Sequence, residues 1–306
     1  MIYDLTTADL LDEYSIGIFT AGYETRSASA AILLSEAKVK FESVFIYSYA
    51  SLDSEKLKKI QALASLMSGE IIVVNSIDAL LFFVQEKFDL DSSTKSIFID
   101  YSSMRRDIYA SMLSCLRGSY LDRCIIDLCY TNARYSGEFS PLSIRDISAV
   151  EGSRYISDPR RKNAVFLGLG FDKISPVSVC ELLEPDVVIP FLSISSPDPE
   201  NDDRARTVNA DFLSHINDSP LLLPICSLSR SYQVLFEVVA NYMDNHNCIL
   251  VPMGPKPHVM ACIMLSLICD GISCIHVSGS REIDVDAIPM DNAFTLTRVR
   301  PDLHFI

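Results

Sequence analysis

Four polar stretches, each leaving a short apolar run, hold the side chains able to do chemistry in this 306-residue chain: GYETR (Gly22–Arg26), DYSSMRRD (Asp100–Asp107), GLGFDK (Gly168–Lys173) and MGPKPH (Met253–His258). In the first, Gly22 suits a turn because positive φ carries no steric cost at glycine. Tyr23, Glu24 and Arg26 then stand just ahead of a helix, with Thr25 and Ser27 as candidate caps. Arg26 has two readings: a forked donor to a phosphate or carboxylate, or the partner of Glu24 in a loop that only turns the chain.

In DYSSMRRD, Ser102 and Ser103 fall where a helix start leaves N–H groups unpaired, and Arg105 and Arg106 open the helix. Together they form an anion cradle. Two arginines in a first turn oppose the helix dipole, and an anionic ligand would remove that conflict. The alternative is that Asp100 or Asp107 bridges the arginine pair. In MGPKPH, Gly254 lets the backbone approach a ligand, Lys256 is a point cation at the apex, and His258 starts a helix behind the stiffening Pro255 and Pro257. A rigid connection with an exposed Lys256 is the other reading. Tyr23, Tyr101 and Phe171 lie in these loops and are candidates to stack on a base.

The same residues allow an acid–base site. Glu24 and Asp100, at the ends of adjacent strands, would be paired carboxylates, one a base and the other orienting or nucleophilic. His258 would be the acid, with the arginine pair holding charge in the transition state.

Positioning these loops requires a regular scaffold, and the pattern supplies one. Short strands alternate with helix-length amphipathic runs from end to end, which predicts mostly parallel sheets covered by helices. In the first half, strands are expected at Ser15–Thr20, Ser43–Tyr49, Glu70–Asn75, Ser96–Asp100 and Arg123–Thr131. Helices fall at Ser27–Ala37, Leu52–Met67, Ile77–Phe88 and Met104–Arg117. The second half repeats this with strands at Ala164–Leu169, Val187–Leu192, Leu221–Ile225, Cys248–Pro252 and Ser273–Val277, and helices at Val177–Leu183, Asp203–Ile216, Ser231–Asn245 and His258–Cys269.

The fold class is therefore α/β, as two Rossmann-like units over 1–150 and 151–306, with the turn-rich stretch Ser136–Lys162 between them. Laid over one another, the halves place Gly22 on Gly170, Tyr23 on Phe171, Glu24 on Asp172, Asp100 on Pro252, Ser102 on Gly254 and Arg106 on His258. That overlay suggests an internal duplication.

A strand followed by small residues, a Lys and a helix, as in Val251-Pro-Met-Gly-Pro-Lys-Pro-His-Val-Met260, resembles the strand, Gly-Gly-Thr-Lys, helix motif of CRISPR-associated Rossmann-fold (CARF) and SAVED-like nucleotide-sensing domains. The resemblance implies a pair of Rossmann-like units that binds a cyclic oligonucleotide in antiviral defence, with Gly254 and Lys256 facing ligand phosphates. Met253-Gly254-Pro255 replaces the family's Gly-Gly-Thr, and Met104 stands where the first half would need its Lys.

A net charge of −14 argues against extended nucleic-acid binding, which needs Lys and Arg to release counterions. Nine Cys with no CxxC pair, and five scattered His, read as reduced core thiols with no metal site. Walker, dinucleotide, GxSxG and HExxH patterns are absent. The acidic N-terminus lacks the features of a signal peptide and no apolar run reaches about 20 residues, so a cytoplasmic protein is expected. The expected ligand is a nucleotide or similar phosphorylated small molecule held by strand-end loops, with a protein partner reading its occupancy. A hydrolase or transferase acting on such a ligand is the alternative, and a scaffold the third. No cofactor is implied.

Overall fold

Ile16-Gly-Ile-Phe19 and Val44-Phe-Ile-Tyr47 are buried throughout, the mark of central parallel strands covered on both faces. The computed structural model describes residues 1–49, 54–90, 93–135, 137–153, 158–216, 218–282 and 285–300, with the side chains of 54–56, 118, 119 and 121 excepted. The first residues of the expected helix Leu52–Met67, and Ser136 at the head of the expected linker, lie outside them.

The chain divides into two units, one formed by Met1–Ala133 and the chain from Asp286 on, the other by Arg134–Val285. The first contains β1 (Ile2–Leu5), β2 (Glu13–Ala21), β3 (Lys40–Ser48), β4 (Glu70–Val74), β5 (Lys95–Asp100), most of β6 (Cys124–Tyr135) and β13 (Ala287–Val299). Helices α1 (Ser29–Glu36), α2 (Ser54–Leu66), α3 (Ile77–Asp89) and α4 (Arg106–Ser119) make its crossovers. The second contains β7 (Ser143–Ala149), β8 (Lys162–Gly168), β9 (Val187–Ile194), β10 (Leu221–Pro224), β11 (His246–Pro252) and β12 (Ile272–Ser280). Its helices are α5 (Ser175–Leu183), α6 (Pro199–Val208), α7 (Ala210–Ser214), α8 (Leu228–Met243) and α9 (Lys256–Ile268).

Local chemistry sets the helix ends. Ser76, Asp198 and Ser227 accept N–H bonds from Ala79, Glu200 and Arg230 at the starts of α3, α6 and α8. Glu184, left-handed at φ 43°, stops α5 just before Pro185.

The sheet orders are β1-β13-β6-β5-β2-β3-β4 and β10-β9-β8-β11-β12-β7. Counting the five crossover strands of each unit in turn, both read 3-2-1-4-5, and the order reverses between the first and fourth strands. Ligands of open parallel sheets sit at that reversal, beyond the strands' carboxyl ends. GYETR and DYSSMRRD flank it in one unit, as GLGFDK and MGPKPH do in the other, because β2 pairs with β5 and β8 with β11.

The unit boundaries differ from a simple cut at 150. Strand β7 falls inside the expected linker and pairs antiparallel with β12, while β13 returns from the chain's end to lie beside β6 and pairs antiparallel with β1. Each unit thus takes an outer strand from the segment that follows the other unit's fifth strand.

The β13 strand is fixed by a buried charge cluster. Arg298 donates twice to Asp127, at 2.7 Å each, and the Tyr14 hydroxyl donates to the same carboxylate at 2.5 Å. Burial beside that carboxylate pushes the Tyr14 phenol well above its ordinary range.

Candidate functional site

In the first unit, Glu24 and Arg26 hold each other. The Arg26 Nε and Nη2 donate to the two Glu24 oxygens at 3.0 and 3.1 Å, while Nη1 donates to the Tyr130 hydroxyl at 2.9 Å and the Thr131 carbonyl at 3.2 Å. The guanidinium also lies 5.0 Å from the Tyr130 ring centroid and is only 2% exposed. Of its two readings, the ion-pair one describes this geometry. Ser103 donates its hydroxyl to Glu24 at 2.9 Å, so the loops after β2 and β5 are joined.

Gly22 is needed for space rather than for positive φ, which among the described glycines belongs to Gly69, Gly152 and Gly271. A Cβ on Gly22 would sit 2.9 Å from the Ser103 Cβ. Lys59 on α2 donates to the carbonyls of Gly22 and Tyr23 at 3.3 and 3.2 Å, and Thr25 binds Asp286 through its N–H and hydroxyl instead of capping α1. Held in this way, the loop presents Tyr23 at 61% exposure.

Asp100 is buried and accepts the N–H and hydroxyl of Ser102 at 3.0 and 2.5 Å; that hydroxyl in turn accepts the Thr131 N–H at 2.8 Å. Both carboxylates of the expected acid–base pair are therefore bonded into the frame. Tyr101 is fully buried, stacked on Tyr130 at 5.6 Å, which removes it as a platform for a base. Its hydroxyl, with those of Thr20, Ser48 and Thr131, is buried without a hydrogen-bond partner among the described residues.

The start of α4 follows the expected order, with Arg105 as its cap residue and Arg106 first in the helix. Arg105 is 65% exposed and donates from its Nε and Nη2 to the two Asp107 carboxylate oxygens. The Tyr49 hydroxyl accepts the Arg105 N–H at 2.8 Å and donates to the Ser103 carbonyl at 3.1 Å.

In the second unit the loops after β8 and β11 also touch. A Cβ on Gly254 would fall 2.9 Å from the Leu169 carbonyl oxygen, and one on Gly170 2.7 Å from that of Met253. Gly254 thus admits another stretch of its own backbone. Lys256 begins α9, half-buried, behind Pro255. His258 is fully buried, and its Nε2 is 3.1 Å from the Leu223 carbonyl. Burial drives its pKa from 6.5 down to about 4, against a smaller upward pull from that carbonyl, so the ring is neutral near pH 7.

Asp172 occupies the place of Glu24 and does different work. It accepts the N–H groups of Leu142, Ile174 and Ser175 and the Ser175 hydroxyl, at 2.8 to 3.2 Å. Burial raises its carboxyl pKa, but these donors outweigh it and hold the pKa below the usual carboxylate value.

Arg26, Arg105 and Arg106 belong to the first unit, and Lys256 and His258 to the second. The sequence reading missed Lys59, Asp286 and the Asp127–Arg298 pair. The last had a signal, since Asp127 is the charge inside the apolar run Ile125-Ile-Asp-Leu128, where an unpaired carboxylate is costly. Among the described residues no group of three or more His, Cys, Asp or Glu is placed to hold a metal ion, and no helix is long and apolar enough to cross a membrane.

No protein-family model and no curated protein matches this sequence. Among solved structures it is similar to a crystal structure of the cytoplasmic domain of a prokaryotic cation chloride cotransporter, at 9% identity and a TM-score of 0.29, over 87% of this chain and 96% of that one.

Proposed function

We propose that the chain is a binding module for a nucleotide or similarly phosphorylated small molecule, held by loops at the carboxyl ends of the parallel strands. The observation that carries this reading is the built frame at the first unit's strand reversal. Glu24, Arg26 and Ser103 on one side, and Asp100 and Ser102 on the other, are joined through the Thr131 backbone into a network that fixes two loops and leaves Tyr23 and Arg105 at its rim. A rigid frame with an aromatic and a cation at its edge suits recognition. Binding is favoured over catalysis because Glu24 and Asp100 each have a fixed bonded partner and His258 is buried and neutral. A sensor role in antiviral defence, with a protein partner, is the setting that the sequence resemblance implies.

The test is mass spectrometry of small molecules released from the purified protein, followed by incubation of each with fresh protein. A phosphorylated compound that rebinds unchanged, and whose binding is lost in an Arg105→Ala/Arg106→Ala double variant, is the expected result. Turnover abolished by Glu24→Gln would overturn the binding-only reading in favour of the hydrolase or transferase. Equal affinity in wild type and double variant would remove the α4 start from the site.

A further inference from the structure

The second unit contains a cleft that uses none of these residues. The strap Gly137–Leu142 ahead of β7, the loop after β8 and helix α6 enclose about 560 Å³, a volume within the ordinary range for small-molecule sites. Its walls are tied together. The Asn209 side-chain amide donates to the carbonyls of Gly170 and Ala205 at 2.7 and 2.8 Å, joining the loop to α6. The Leu142 N–H donates to Asp172, joining strap to loop. Arg204 donates to the Gly137 carbonyl at 2.8 Å and lies 5.3 Å from the ring centroids of both Phe139 and Phe171, which stack at 5.0 Å.

Within that frame, four polar side chains lining the cleft make no hydrogen bond or ion pair among the described residues: Glu138, Lys173, Asp203 and Thr207. Their chemistry narrows the ligand. The Phe139–Phe171 wall takes a flat ring, carboxylates accept from sugar hydroxyls, and an ammonium takes a phosphate. Among the described residues Lys173 is the cation of the lining without a partner, since Arg204 is engaged, and two carboxylates likewise without partners there would repel a polyanion.

From this we infer that the cleft is a site for a nucleoside monophosphate: the base lies against Phe139 and Phe171, ribose hydroxyls donate to Asp203 and Glu138, and the phosphate meets Lys173. The inference rests on the reading of the chain as a nucleotide-binding module but places a ligand at different residues.

Isothermal titration with AMP, GMP, CMP and UMP, and with adenosine and ATP, tests it on wild type, Lys173→Ala, Asp203→Asn and the Arg105→Ala/Arg106→Ala variant. Lys173 and Asp203 are exposed, so unchanged melting temperatures are expected. One or more monophosphates should bind wild type, and a component of that binding that depends on Lys173 and Asp203 should persist in the arginine variant. Lys173→Ala should weaken that binding about tenfold, the scale of one charge-assisted contact, and leave a nucleoside unaffected. Asp203→Asn should weaken both, and ATP should bind less well than AMP. No binding of any monophosphate at about 1 mM, a concentration that detects only some 4 kcal/mol of affinity, would overturn the proposal. Monophosphate binding that survives Lys173→Ala and Asp203→Asn but is lost in the arginine variant would also overturn it, while leaving the first reading standing.

Discussion

The first unit buries two arginines with their acids, whereas the second buries acids and leaves the arginines beside them nearer solvent. Among the described residues Arg26 and Arg298 are the buried arginines, at 2% and 6% exposure, and both belong to the first unit, each gripped by a carboxylate of the same unit. In the second unit Asp172 and Asp198 are buried, but their basic neighbours Arg281 and Arg134 are 26% and 65% exposed. The loops after β2 and β8 express the same difference at equivalent places in one strand order. Glu24 closes on Arg26, two residues away, whereas Asp172 closes on backbone N–H groups and leaves Lys173 without a partner among the described residues. What decides the outcome is whether the loop carries a cation that reaches inward. When it does, acid and base cancel and the loop becomes frame; when it does not, the acid organises the helix start and the cation remains available.

The comparison breaks most visibly through the internal ion pair. Asp127→Ala should destabilise the protein by about 3–5 kcal/mol, because it leaves the Arg298 guanidinium buried with its main partner gone. Asp198→Ala removes an acid whose arginine is largely solvated and a helix cap for α6, and should cost only about 1 kcal/mol. Urea denaturation of the two variants checks the contrast; equal losses would show that burial of the cation is not the distinguishing variable.

The glycines sharpen it next. Gly254→Ala pushes a methyl against a backbone carbonyl oxygen, which cannot rotate away, and should cost about 1–3 kcal/mol. Gly22→Ala brings a methyl to 2.9 Å from the Ser103 Cβ, an atom that moves only with its own backbone, so its loss should be comparable. Thermal melts of the pair check this, and a much smaller loss in Gly22→Ala would show that the first unit's loop contact yields more easily.

Acid titration distinguishes the units by a different route. His258 has a folded-state pKa of about 4 against 6.5 unfolded, so the unfolded chain binds the extra proton first. Its contribution to stability is full above about pH 6.5 and is lost as pH falls toward 4. The depressed carboxyl of Asp172 adds a further loss below its ordinary value of 3.8. His258→Leu should flatten the slope between pH 6.5 and 4, and Asp172→Asn should flatten only the part below it. Stability measured by urea denaturation across that range decides, and an unchanged slope in His258→Leu would mean that the imidazole is not held neutral.

Much of the scaffold was legible because parallel strands and their crossover helices have strong periodic signals. The expected strand Ser96–Asp100 lies within β5, Val187–Leu192 within β9, and the helix at Ile77–Phe88 ends one residue short of α3. The outer strands were not. Ser143–Ala149 alternates weakly and carries Arg145 and Asp146, so it read as linker, and its pairing with β12 is a long-range contact that no local pattern encodes. The candidate loops were found by composition, but their internal bonds were not. GYETR places Arg26 two residues from Glu24, yet only the neighbouring strand's Tyr130 and Thr131 determine that the guanidinium turns inward. The cleft of the second unit escaped because its lining comes from three separate segments, of which only Phe171-Asp172-Lys173 lay in a loop already singled out.

The smallest effect tests the rim of the first unit itself. Arg105 is 65% exposed, and its partner Asp107 sits two residues away on the same helix start, 44% exposed. Such a pair gains little Coulomb energy in water, so Arg105→Ala should change stability by no more than about 0.5 kcal/mol. Its N–H still reaches the Tyr49 hydroxyl, a backbone bond that the substitution preserves, so the loop geometry should survive as well. That makes the variant a clean probe of binding, because a loss of affinity for a phosphorylated ligand cannot be blamed on a damaged fold. A stability loss above about 2 kcal/mol, well beyond the effect of an ordinary surface change, would mean that Arg105 belongs to the frame as Arg26 does. The first unit would then have no cation of this loop left for a ligand to meet except Arg106, and the division of labour between the units would be sharper still.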